Sequence, residues 1–143
     1  MAFRESRIRQ MELYCYKAQV CSVHDGDTFH ADIDLGMRVW IKNQSIRLAN
    51  IDAPELTAPV FNSTTNSFDV TNHELGIMSR DALASKIMNV PVIIKTYKLD
   101  KYGRWLANVF VMQDYEHEPI ICVNDWMVEN GHAVTRYTEK KMK

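Results

Sequence analysis

The sequence predicts a mainly β fold of α+β class: a five-stranded barrel with one longer helix between its third and fourth strands and a short C-terminal helix. Three observations carry this. The first third of the chain alternates apolar and polar residues between turn signals. From Thr71 the spacing becomes helical. A β-branched hairpin then follows, and a short helical run closes the series. Meander, helix and hairpin is the element order of an OB-fold barrel.

Residues 1–11 are polar and basic and are expected to form an arm outside a domain spanning 12–137, with 138–143 as a basic tail. Glu12 to His24 is rich in Leu, Tyr, Cys and Val and reads as the first strand. Asp25-Gly26-Asp27 marks a hairpin turn, because Asp-Gly readily supplies positive φ. Thr28 to Leu35 alternates strictly, with Phe29, Ala31, Ile33 and Leu35 on one face. Gly36 turns the chain into a third strand, Met37 to Ile51, with an interruption expected at Asn43-Gln44. Leu56 to Thr71, with Pro59 and a Ser/Thr/Asn cluster, reads as a long surface loop. Thr71-x-x-Glu74 has the form of a capping box, and a helix is expected to about Asn89 with Leu75, Met78, Ala82, Leu83 and Ile87 inward. Pro91 disfavours helix at Val90 and ends it. Pro91 to Tyr97 and Arg104 to Met112 form a hairpin around Asp100-Lys101-Tyr102-Gly103. Gln113 to Glu118 is an acidic connection. Val123 to Asn130 is the second helix with Gly131 as its stop, and His132 to Tyr137 returns as a last strand.

A length of 143 residues suits one domain, and 46% hydrophobic residues suffice for a core. The net charge of −1 excludes a globally basic nucleic-acid binder, so any polyanion must be held by local groups. Cys15, Cys21 and Cys122 are odd in number and lack Cys-x-x-Cys spacing, so no zinc site or disulfide framework is expected. The N-terminal residues have positive charge with no apolar run behind them. No signal peptide or membrane span is expected, and the protein is read as cytoplasmic and monomeric.

The stretch Arg47-Leu-Ala-Asn-Ile-Asp52-Ala53-Pro54-Glu55 carries the chemistry. It runs from a strand into a turn that Pro54 stiffens. Asp27 and Asp52 are hard oxygen donors suited to Ca²⁺ or Mg²⁺, and antiparallel pairing of their strands would bring them together. Glu55 lies within reach of a water beside such a metal. Arg47 and Arg104 supply planar forks that match phosphate oxygens. Together these are the parts of a metal-assisted phosphodiesterase.

Four stretches carry a family resemblance: Asp25-Gly26-Asp27-Thr28, Arg47-Leu48…Ile51-Asp52-Ala53-Pro54-Glu55, Asp100-Lys101-Tyr102-Gly103-Arg104, and Val123-Asn124…Gly131-His132-Ala133. In this order around one helix, they resemble the staphylococcal nuclease (thermonuclease) family over about Lys17 to Tyr137. The resemblance implies an OB-fold nuclease that hydrolyses DNA and/or RNA with one Ca²⁺, preferring single strands, cleaving the 5′ P–O bond and leaving 3′-phosphates. It implies Asp27, Asp52 and the Ala53 carbonyl as calcium ligands. Glu55 looks like the general base or the residue that orders the attacking water. Arg47 and Arg104 look like phosphate clamps, Lys101 and Tyr102 like contacts to the neighbouring phosphate, and Tyr137 like a ring stacked on a base.

Three departures from that pattern stand out. The stretch from Asp27 to Arg47 is longer, implying an extended hairpin around Trp40. Glu139 stands where a second Tyr is expected, and a further C-terminal helix is expected to be missing. The rival class is a non-catalytic nucleic-acid or protein-binding module on the same fold. A zinc hydrolase fails for want of His or Cys ligands at metal spacing. Replacing Arg47 or Arg104 by Ala is expected to slow turnover and leave the fold intact.

Overall fold

The computed structural model describes residues 13–56, 60–69, 71–112 and 120–136. β1 (Cys15–Asp25), β2 (Thr28–Gly36) and β3 (Val39–Leu48) form an antiparallel meander. It is followed by β4 (Ile51–Asp52), a small hairpin of β5 (Val60–Asn62) and β6 (Ser67–Asp69), and helix α1 (Thr71–Ile87). β7 (Val92–Leu99) pairs with β1, and β8 (Trp105–Met112) pairs with β7. β8 also runs parallel to β3, from Ile46↔Trp105 to Leu48↔Ala107. That parallel contact closes β1, β2, β3, β8 and β7 into the expected barrel, and β9 (Ile120–Cys122) adds to the free edge of β8. Helix α2 (Val123–Glu129) and β10 (Val134–Thr135) complete the described chain. No helix among the described residues is long and apolar enough to cross a membrane.

The barrel interior follows from the alternation. Phe29, Ala31 and Ile33 of β2 point inward with Ile46 and Leu48 of β3, Val92 and Ile94 of β7, and Ala107 and Val109 of β8. Leu83 and Ile87 of α1 and Val123 and Met127 of α2 close the core at its side. Each such large aliphatic or aromatic side chain contributes about 1.5–3 kcal/mol by leaving water. Buried Asn124 at the start of α2 ties the layers together. Its Oδ1 accepts the Val109 N–H at 2.9 Å, and its Nδ2 donates to the carbonyls of Ala49 at 3.0 Å and Ala107 at 3.1 Å.

Four expectations change. β3 is not interrupted at Asn43-Gln44. Lys42 and Asn43 bulge opposite Asp32, whose carboxylate takes the Asn43 N–H at 2.8 Å, so the strand bends and continues to Leu48. Residues 56–71 are not all loop, because the polar cluster is the turn of the β5–β6 hairpin, stapled by an edge-to-face contact of Phe61 and Phe68 at 5.3 Å. An additional strand, β9, precedes α2. Finally, α1 buries Gly76, Ser79, Leu83 and Ile87, whereas Leu75 and Met78 are exposed. The helix crosses two loops at close range there, so small residues are needed. A side chain on Gly76 would run into the Glu55 carbonyl, and one on Gly26 would run into Ser79.

The end of α2 matches its expectation. Gly131 has φ +76°, the His132 N–H reaches the Met127 carbonyl at 2.8 Å, and the Gly131 N–H reaches that of Val128 at 3.1 Å. This pair of bonds is a Schellman closure. The Ser79 hydroxyl of α1 donates to the His132 carbonyl at 2.6 Å and locks this turn against α1. The arm, the acidic connection at 113–118, Tyr137 and the tail lie outside the described residues.

Gly76→Ala tests the close contact of α1 with the Glu55 loop. The added methyl is expected to cost about 1–3 kcal/mol by overpacking, read by urea unfolding, whereas Leu75→Ala on the exposed side should stay within about 0.5 kcal/mol. Equal effects would contradict the contact.

Candidate active site

The β1–β2 turn delivers Asp27. The Asp25 carboxylate accepts the Asp27 N–H at 3.1 Å, as an Asp at a turn commonly does, and the Thr28 hydroxyl donates to Asp27 Oδ1 at 3.0 Å. The Asp27 carbonyl accepts the Leu48 N–H at 2.8 Å, which fastens the turn to the end of β3. Arg47 pairs with Thr28 across β2 and β3, so strand register alone sets it one residue from Asp27. Asp52 lies on β4, held by pairing of β4 with β10.

These three side chains converge. Arg47 Nη2 lies 2.6 Å from Asp52 Oδ1 and 3.3 Å from Asp27 Oδ2. Its Nη1 donates to the carbonyls of Leu48 at 2.7 Å and Ile51 at 2.8 Å. The guanidinium is therefore buried and turned inward on four protein acceptors. Arg47 has a structural duty that the sequence did not disclose, and it argues against a fold-neutral replacement. Asp27 Oδ2 also accepts the Ala53 N–H at 2.9 Å, so Ala53 meets Asp27 through its amide. Glu55 follows two residues later, exposed, with its backbone seated against Gly76.

Arg104 arrives from the β7–β8 turn and immediately precedes the β8 residues that lie along Ile46 and Arg47. Asp100 fixes it. The Asp100 carboxylate accepts the Tyr102 N–H at 2.8 Å, the Arg104 N–H at 3.0 Å and Arg104 Nε at 2.7 Å. The exposed Tyr102 ring is flanked by the Lys101 ammonium and the Arg104 guanidinium, both 5.1 Å from its centroid. Lys101 and Tyr102 thus form one cationic and aromatic tip with Arg104.

The donor set fits a hard divalent cation. Two carboxylate oxygens meet the same Arg47 nitrogen, so they lie within two hydrogen-bond lengths of each other. Two carboxylates with Asp25 nearby outweigh the single buried guanidinium, leaving net negative charge. Burial, followed by the Asp25 side chain, pushes the Asp27 carboxyl above its ordinary value, while the Ala53 N–H and Arg47 pull the other way. A bound cation would relieve that cost. No group of three or more His, Cys, Asp or Glu among the described residues could hold a metal. Two carboxylates leave the rest of a Ca²⁺ shell to carbonyl, water and substrate oxygens.

Sequence reasoning missed several supports of this site. Asp100 has a place in the turn and in a recognised stretch but no stated part in fixing Arg104, although a carboxylate four residues before that Arg is a usable signal. Gly76 and Ser79 gave none, because close-approach positions do not show in an apolar pattern. Asn124 stands within a recognised stretch without a role, and Arg136 has none beyond its basic charge near the tail.

A family model described as staphylococcal nuclease homologue matches residues 45–143. The chain is 28% identical over 129 residues to the uncharacterized protein MJ1439 of Methanocaldococcus jannaschii, covering 82% of this chain and 58% of that protein. It is 30% identical over 95 residues to the probable staphylococcal-like nuclease CAN3 of Oryza sativa subsp. japonica, covering 66% of this chain and 19% of that protein. The chain thus spans less than two thirds of either relative.

Asp100 gives a pH test of the Arg104 turn. Burial raises its carboxyl, but the Arg104 and Tyr102 N–H groups and the Arg104 guanidinium outweigh that and hold it below its ordinary 3.8. A depressed folded value stabilises the fold above the unfolded value and loses that contribution as pH falls through the folded one. Asp100→Asn should therefore be less stable than wild type in urea at neutral pH, and the gap should close as the medium is acidified below 3.8. A gap that is constant with pH would contradict a charge-based role.

Proposed function

The chain belongs to the staphylococcal nuclease family, and on that footing we propose that it is a calcium-dependent phosphodiesterase acting on DNA and RNA, preferentially on single strands. The observation that carries this reading is the convergence of Asp27 and Asp52 on one nitrogen of Arg47, with Glu55 on the turn that follows.

Asp27 and Asp52 are the residues that would hold the ion, with the Ala53 carbonyl as a further ligand. Bound there, the ion would supply Lewis-acid polarisation of a phosphoryl oxygen. Glu55 takes a proton from the attacking water, or orders that water, as its oxygen bonds to phosphorus. The P–O bond on the 5′ side breaks, its electron pair leaves with the 5′ oxygen, and a 3′-phosphate remains. Arg104 carries the phosphate clamp, because Asp100 engages only its Nε among the described contacts and the terminal nitrogens can face an anion. Arg47 contributes its charge from behind the two carboxylates and holds them at the correct spacing. Lys101 and Tyr102 extend the cationic surface towards the adjoining phosphate, and Tyr137 is assigned to base stacking.

Hydrolysis of a labelled single-stranded oligonucleotide tests this, with Ca²⁺, with Mg²⁺ and with chelator. Cleavage is expected with Ca²⁺, loss with chelator, and 3′-phosphate ends. Glu55→Gln should lower kcat about 10²–10⁴-fold, and Arg104→Ala about 10²–10³-fold. Binding without cleavage under every condition would overturn the proposal and favour a binding module.

A further inference from the structure

We infer that Arg136 is a third substrate-binding guanidinium of this site, and that without substrate it competes with the metal for Asp52. The inference rests on the phosphodiesterase function proposed above. Arg136 belongs to none of the stretches that carry the family resemblance.

Strand pairing places it. Val134 lies opposite Asp52 and Thr135 opposite Ile51, and the Arg136 N–H then donates to the Asn50 carbonyl at 2.9 Å. Residues two apart on a strand share a face, so Arg136 sits on the diagonal from Asp52, within reach of a long side chain. The reach is made: Arg136 Nε lies 3.7 Å from Asp52 Oδ2. Asp52 therefore faces one guanidinium on each oxygen, Arg47 on Oδ1 and Arg136 on Oδ2.

The two guanidinium groups differ in what they can give up. Arg47 is buried and fully engaged inside the protein. The Arg136 side chain is 56% exposed and meets Asp52 through Nε alone, so among the described residues its terminal nitrogens have no partner. Its backbone is pinned by pairing while its head is open to solvent. Such a group can hold Asp52 in the metal-free protein, yield that oxygen to a cation, and turn its fork to a phosphate of the strand being bound. In a chain of net charge −1, local cations of this kind must supply the attraction for a polyanion.

The two duties predict shifts of opposite sign. In Arg136→Gln, Ca²⁺ binding by calorimetry without nucleic acid should tighten, because a competing positive charge has left Asp52. Binding of a fluorescent single-stranded oligonucleotide without metal should weaken roughly two- to fivefold. The slope of log affinity against log salt should shrink by about 0.7, the value for one phosphate contact on a single strand. Arg136→Lys, which keeps the charge, should recover most of the oligonucleotide affinity. Far-UV circular dichroism checks that both variants fold. Unchanged or weakened Ca²⁺ binding in Arg136→Gln overturns the competition, and unchanged oligonucleotide affinity and slope overturn the substrate contact. A wild type that binds the oligonucleotide, shows both shifts, and yet does not cleave with Ca²⁺ would sustain the role of Arg136 and sink the phosphodiesterase.

Discussion

The Arg47 guanidinium joins β3 to the turn that carries Asp52 and Glu55, and the site depends on that junction. Four acceptors surround it: two backbone carbonyls at the end of β3 and the start of β4, and the carboxylates of Asp27 and Asp52. Burying a guanidinium is costly unless its donors are satisfied and its charge is countered. Here both conditions hold, and the acid pair would repel itself without the cation between. One residue thus serves the fold and, on the proposed function, the chemistry as well. It fixes the path of the chain from Leu48 to Asp52, and it brings two hard oxygen donors to one place.

Around this junction the fold uses small residues to bring loops close. Gly26 admits Ser79, Gly76 admits the Glu55 backbone, and Ser79 in turn holds the loop after α2. Helix α1 is therefore a brace for both carboxylate-bearing turns as well as a lid on the core. The β7–β8 turn is organised separately, by Asp100, and carries its own cationic tip. On the proposed function, one rigid cluster and one separately pinned arm supply local positive charge for a polyanion without a globally basic surface.

The barrel was legible in the sequence because its signals are periodic. Phe29, Ala31 and Ile33 alternate inward as written, with Leu35 of the same series exposed at the end of β2, and Gly131 ends α2 as its position implies. The convergence of Asp27, Arg47 and Asp52 was legible from motif order and strand pairing. What stayed hidden was contact-specific. The Asn43 bulge depends on a carboxylate on the neighbouring strand, Asp32. The buried stripe of α1 depends on what the helix crosses, so Gly76 displaced Leu75 from the inward side. The hold of Arg47 on the Leu48 and Ile51 carbonyls was hidden too, because sequence spacing says nothing of which way a guanidinium faces.

Urea unfolding of the metal-free protein, comparing Arg47→Ala with Arg104→Ala, tests most directly whether Arg47 knits the site in the absence of an ion. Removing one partner of a buried charge cluster should cost Arg47→Ala about 3–5 kcal/mol. Arg104→Ala, which breaks a partly exposed pair with Asp100, should lose less than about 1 kcal/mol. Equal, small losses in both would show that the Asp27–Arg47–Asp52 junction does not hold the structure together.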